Sequence, residues 1–158
     1  MDLTPETDAE NDYQKFWRID DESPFSTVYE KFAGGIKSLK FDPNVEIAGD
    51  KTVVAGPDGS VNLPKGKFTL SMKVWAASNR PLRKIHVMLK SPNQEIGTFD
   101  LSGLQSGKWV TLTQSFDSEH GSNEDDRMEI SVQKADMSPN ADAGPVFIDE
   151  ISIRAANR

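Results

Sequence analysis

Cysteine is absent from this 158-residue chain, which excludes disulfides, thiolate zinc sites and cysteine nucleophiles. Histidine is scarce: His86 and His120 are the only two, too few for a multi-histidine metal centre. No apolar run approaches the ~18 residues of a membrane span, so no span is expected. The opening MDLTPETDAEND has neither the basic start nor the apolar stretch of a signal peptide. G-x-S-x-G, H-E-x-x-H, P-loop and G-x-G-x-x-G patterns are all missing, so none of the chemistries they mark is indicated. An excess of basic charge is missing too. Lysine and arginine total 18 against 25 acidic residues, a net charge of −7. That balance opposes nucleic-acid binding, which needs a basic surface that releases counterions.

What the chain does have is a succession of short apolar runs separated by turn residues. Residues 1–14 are polar and acidic and read as a leader or linker, leaving 15–158 as one domain. At this length roughly 70% of the unfolded surface can be buried, enough for one core. Apolar runs fall at 16–19, 27–32, 38–41, 52–54, 61–63, 68–76, 85–90, 95–101, 109–116, 128–134 and 147–154. Between them stand Gly34-Gly35, Asp42-Pro43-Asn44, Gly56-Pro57-Asp58-Gly59, Pro64-Lys65-Gly66, Asn79-Arg80-Pro81, Ser91-Pro92-Asn93, Ser106-Gly107 and Pro139-Asn140, the chemistry of turns. This spacing predicts an all-β fold, a two-sheet antiparallel β-sandwich.

The strongest segments alternate with period 2. Phe68, Leu70, Met72 and Val74 are expected in the core, with Thr69, Ser71, Lys73 and Trp75 on the opposite face. Ile85, Val87 and Leu89 likewise turn away from Lys84, His86, Met88 and Lys90. Val110, Leu112 and Gln114 are set inward against Trp109, Thr111, Thr113 and Ser115, and Met128, Ile130 and Val132 against Arg127, Glu129, Ser131 and Gln133. A one-residue slip or bulge would exchange such faces.

Four stretches carry a family resemblance: Gly35-Ile36-Lys37-Ser38-Leu39-Lys40-Phe41, Leu63-Pro64-Lys65-Gly66-Lys67-Phe68-Thr69-Leu70-Ser71, Gly107-Lys108-Trp109-Val110-Thr111-Leu112 and Phe147-Ile148-Asp149-Glu150-Ile151. In this order they resemble the jelly-roll carbohydrate-binding modules, of galactose-binding-like topology, that accompany glycoside hydrolases and polysaccharide lyases. The resemblance spans 35–153 and implies a jelly roll that holds a polysaccharide without transforming it. The opening motif that carries the first calcium ligand in that family is not matched; Phe16-Trp17-Arg18-Ile19-Asp20-Asp21-Glu22 stands there instead.

Sugar recognition needs flat aromatic faces against pyranose rings and polar groups for the hydroxyls. Trp75 is the foremost candidate, beside Lys73, with His86, Lys84, Lys90, Arg127, Glu129 and Gln133 added from neighbouring strands. Such a face would be net basic and suit an anionic chain, since lysine and arginine pair with carboxylate or sulfate. The alternative is that these lysines merely solvate a strand. Trp109 and Trp17 are read as packing residues. Asp149, inside an apolar strand, needs a partner or a cation. The resemblance implies a structural calcium ion on Asp149 and Asp20 with carbonyls near residues 38–40; the alternative is a hydrogen bond to backbone or a lysine. The acidic loop with Glu124, Asp125 and Asp126 is read as a solvated turn.

Asp149 and Glu150 are adjacent on a strand and face opposite ways, so they are not an acid and nucleophile pair. A jelly-roll lyase would carry arginine, glutamine-histidine and tyrosine motifs on its concave face; these are not found, and the two tyrosines, Tyr13 and Tyr29, lie early. The chain is therefore expected to be a monomeric, non-catalytic module of a larger secreted or surface protein. It would bind a polysaccharide or oligosaccharide and target an attached catalytic domain. The competing class is a structural or protein-interaction sandwich, marked by a broad apolar patch of Trp17, Trp75 or Met88.

Overall fold

The computed structural model describes residue 19 and residues 23–28, 38–47, 49–56, 61, 63–90, 93–118, 127–138 and 143–155. Among the described residues nine strands form: β1 Phe25–Val28, β2 Ser38–Phe41, β3 Lys51–Ala55, β4 Gly66–Ala76, β5 Lys84–Lys90, β6 Gln94–Asp100, β7 Trp109–Ser118, β8 Arg127–Gln133 and β9 Val146–Ala155. A single 3-10 turn, Lys134–Asp136, is the one helical element among the described residues. The strands make two antiparallel sheets, β1-β2-β9-β4-β7 and β3-β8-β5-β6, the sandwich expected from the strand spacing and the jelly roll the resemblance implies.

The core lies between the sheets. Leu70, Met72 and Val74 of β4 meet Ile85, Val87 and Leu89 of β5 and Met128, Ile130 and Val132 of β8, all essentially without exposure. Leu112 and Phe68 pack against this cluster from its margin. Gln114 differs from expectation. It is exposed, and its Oε1 accepts from the Thr98 N–H at 3.1 Å across the open edge between β7 and β6. The apolar pair Val61 and Leu63 is buried but forms no strand; Pro64, which follows, lacks the N–H a ladder needs.

One irregularity shapes the last strand. Lys73 pairs with Asp149 and Ser71 with Ser152, so β9 carries one residue more than β4 between these pairs. Glu150 takes the strain of that bulge at φ 48°, the one positive-φ non-glycine among the described residues. The extra residue lets Ile148, Ile151 and Ile153 all reach the core.

Candidate functional site

The structure divides the expected site between two opposite surfaces. Trp75 and Lys73 stand on the outer face of the five-stranded sheet. His86, Lys84, Lys90, Arg127, Glu129 and Gln133 stand on the outer face of the four-stranded sheet, on the far side of the core. The two groups do not share one surface. The physical reason is the β4–β5 connection, which crosses from one sheet to the other. Alternation sets each residue's side relative to the core but not the sheet that owns it.

On the five-stranded sheet, register places Ser26, Lys40, Phe147, Trp75 and Trp109 in one row across all five strands. Trp109 sits directly opposite Trp75, half-buried and outside the core cluster, on the outward side that alternation gives it. The Trp75 ring meets Phe147 edge-on with centroids 5.7 Å apart, and Lys40 Nζ lies 5.7 Å from the Phe147 centroid. Such ring pairs contribute about 0.5–1.5 kcal/mol beyond buried area and hold the indole in place. On β9 this face is closed at Phe147 and Asp149, 1% and 0% exposed, and open towards Arg154. The β4/β7 half is open, and Thr111, Thr113 and Ser115 are exposed along it beside Thr69 and Ser71. Thr69 and Ser115 hydroxyls lie 3.4 Å apart. Lys73 Nζ pairs with Glu150 at 2.9 Å, and Arg154, opposite Thr69, is exposed.

Asp149 faces outward by its register with Lys73, yet has no exposure at all. Its Oδ1 accepts from the Glu150 N–H at 2.8 Å. Among the described residues no three His, Cys, Asp or Glu side chains gather as a metal cluster. Asp20, the other expected ligand, lies outside the described residues, as do Trp17, Tyr13, Tyr29 and residues 119–126.

The four-stranded sheet's outer face is polar and internally paired. His86 Nδ1 lies 3.0 Å from Glu95 Oε1 and its Nε2 2.9 Å from Asp136 Oδ2. Burial disfavours the imidazolium, but hydrogen bonds and charge from Glu95 and Asp136 outweigh it and raise the pKa above 6.5. Glu95 is held below its usual range by hydrogen bonds from Thr98 and His86, against a smaller opposing effect of burial. Arg127 Nη2 and Lys90 Nζ both reach Glu129, at 3.1 and 3.8 Å. Lys51, Lys84, Lys90 and Arg127 share this face with Glu95, Asp100, Glu129 and Asp136, so much of its positive charge is offset. Gln133 and Lys51 also border a shallow depression of about 400 Å³ with Asp50, Lys134 and Ala135.

Sequence reasoning missed the partners of His86. Glu95 was legible as an outward residue of a strand, whereas Asp136 reaches the ring from a 3-10 turn that no periodicity marks. Among the described residues Val45 alone is an exposed large hydrophobic, so no broad apolar patch forms from them.

No protein-family model matches the chain. No curated protein matches it in sequence. Solved structures do share its fold. A family 16 carbohydrate-binding module superposes with a TM-score of 0.54 at 15% identity, covering 87% of this chain and 89% of that one. The CBM22-1 xylan-binding domain from Paenibacillus barcinonensis gives 0.55 at 14% identity, over 90% and 88%. A family 61 module in complex with β-1,4-galactotriose gives 0.54 at 13% identity, over 89% and 88%. At these identities the likeness is one of fold.

Proposed function

We propose that this chain is a non-catalytic carbohydrate-binding module that holds a polysaccharide on the β4/β7 half of the five-stranded sheet. The observation that carries the reading is the pairing of Trp75 with Trp109 on an open face beside a strip of hydroxyls. Indole faces supply stacking area for pyranose rings, and Thr111, Thr113, Ser115, Thr69 and Ser71 can both donate to and accept from sugar hydroxyls. Lys73 and Arg154 on the same face would contact carboxylate or sulfate on an anionic chain. The want of a broad apolar patch among the described residues favours this reading over a protein-packing sandwich. The shared fold with a xylan-binding domain and a galactotriose complex supports it at the level of architecture. Within a larger secreted or surface protein, such a module raises the local substrate concentration for an attached catalytic domain.

A structural calcium ion at Asp149 belongs to the same proposal. Asp149 has no exposure, and carboxylate oxygens are the ligands calcium prefers. A second reading of the binding face is supported by the four-stranded sheet, where His86 and Glu129 are each fixed by two partners and so preorganised for hydroxyls. It lacks an aromatic platform, which makes it the weaker of the two.

Affinity electrophoresis through gels containing neutral glucans, xylans, mannans, alginate, pectins and sulfated polysaccharides tests the proposal. Retardation by one class is expected, weakened about tenfold by Trp75→Ala or Trp109→Ala. Retardation abolished instead by His86→Ala and Glu129→Ala would move the site to the other sheet, and no retardation in any gel would sink the module reading.

A further inference from the structure

We propose that the loop end of the sandwich carries a second, anion-selective subsite that takes a terminal uronic acid residue of a glycan. It rests on the carbohydrate-binding reading and differs from it in place and chemistry. A depression of about 280 Å³ there is lined by Ser78, Arg80, Leu82, Arg83, Ser102 and Ser138. That is below the ~300–1,000 Å³ of pockets for drug-sized ligands, room for one sugar ring rather than a chain. Among the described residues the lining has two arginines, three serines and no carboxylate, on a chain whose net charge is −7.

The walls are built from three connections: 77–83 after β4, 101–108 after β6, and 134–138 after β8. Backbone hydrogen bonds join them. Leu101 N donates to Arg83 O at 2.7 Å, Arg83 N to Asp136 O at 3.0 Å and Ser138 N to Pro81 O at 2.9 Å, while Leu82 bridges to Met137. Arg80 is locked into the wall, with Nη1 donating to Ala77 O at 3.0 Å and Nη2 to Leu101 O and Leu104 O at 2.7 Å each. Its charge is therefore fixed in position. Arg83 is exposed and makes no ion pair among the described residues. The acid beside this rim, Asp100, accepts the Ser102 N–H at Oδ1 at 2.8 Å and also feels the charges of Lys84 and Arg83.

These groups match one ligand chemistry. The Arg83 fork can take a carboxylate in two parallel hydrogen bonds, Arg80 adds a preorganised charge, and the three serine hydroxyls suit ring hydroxyls. Leu82 supplies apolar surface for the ring's underside.

The test is an NMR titration of the ¹⁵N-labelled chain with sodium glucuronate, with glucose as the neutral match. Saturable shifts are expected at the amides of Ser78, Arg83, Ser102 and Ser138, with binding at least about tenfold weaker for glucose and for Arg83→Ala. Arg83→Lys, which keeps the charge and loses the fork, should fall between. An unchanged urea midpoint shows that each variant is folded. Absent shifts, or shifts unaffected by Arg83→Ala, overturn the subsite. Polysaccharide retardation measured on the same samples separates the two readings. Retardation without glucuronate shifts leaves the tryptophan platform standing and the subsite refuted, whereas shifts without retardation do the reverse.

Discussion

Raising the pH through neutrality takes a proton from His86, and the consequence can be worked out from its surroundings. Both ring nitrogens face carboxylates, at 3.0 Å to Glu95 and 2.9 Å to Asp136, and only the imidazolium can donate to both. The folded-state pKa lies above 6.5 because these hydrogen bonds and charges exceed the burial penalty. A group whose pKa rises on folding contributes stability that is full below the unfolded value and lost as pH climbs through the folded one. Glu95, shifted the other way, contributes above the unfolded carboxylate range and loses its share as pH falls through its depressed value. The clasp is therefore strongest in mildly acidic solution, between those two limits. His86 and Asp136 are only 18% and 17% exposed, whereas Glu95 is 48% exposed and is discounted for solvent screening. The neutral ring keeps one N–H for two carboxylates, so deprotonation removes one charge-assisted bond, a loss on the order of 1 kcal/mol. At about 2–4 °C per kcal/mol for a chain of this length, that lowers the melting temperature by a few degrees. The assay is urea and thermal unfolding at about pH 5.5 and pH 8.5, for wild type and His86→Ala, the variant subtracting every other titrating group. Equal losses in both proteins, or an NMR titration placing the His86 pKa below 6.5, would refute the reasoning.

A Cβ on Gly97 would lie 2.9 Å from Leu70 Cδ2 across the sandwich and 3.2 Å from the Phe99 ring, so Gly97→Ala should cost about 1–3 kcal/mol by overpacking. Gly103 has nothing within 4 Å, and Gly103→Ala should be neutral or stabilising by about 0.4–1 kcal/mol; chemical denaturation compares the pair, and equal effects would contradict the packing account. If calcium binds at Asp149, chelator should lower the wild-type melting temperature and leave Asp149→Asn unmoved, while a chelator-insensitive wild type would remove calcium from the proposal.

The parts of the fold legible in sequence were those fixed by local alternation. Leu70, Met72 and Val74, and likewise Ile85, Val87 and Leu89, declare their side because every second residue must leave water. Strand pairing is not local. Residues 76 and 84 end one strand and begin the next, yet the strands belong to different sheets, and this separated Trp75 from His86. The bulge at Glu150 was equally hidden. No glycine marks it, and its purpose becomes visible only when Ile148, Ile151 and Ile153 are all seen in the core. Trp109 could have been found, since it shares the outward parity of Thr111 and Thr113 and differed only in being aromatic.

Electrostatics on this molecule act locally rather than through its overall charge. Lys73 is matched by Glu150, Lys67 by Asp117, and Lys90 with Arg127 by Glu129, so the sheet faces present little field for their number of charges. A uniformly acidic surface at −7 would repel anionic glycans over about a Debye length, 8–10 Å in ordinary salt, and no closer attraction could then be felt at long range. On the proposed reading an acid group would be recognised at contact, by Arg83 in its walled depression and by Arg154 on the open sheet, both exposed and with no ion pair among the described residues. Stacking on Trp75 and Trp109 needs no such field, so the proposed platform would hold a neutral chain as readily as a charged one, while the proposed loop-end subsite would discriminate between them.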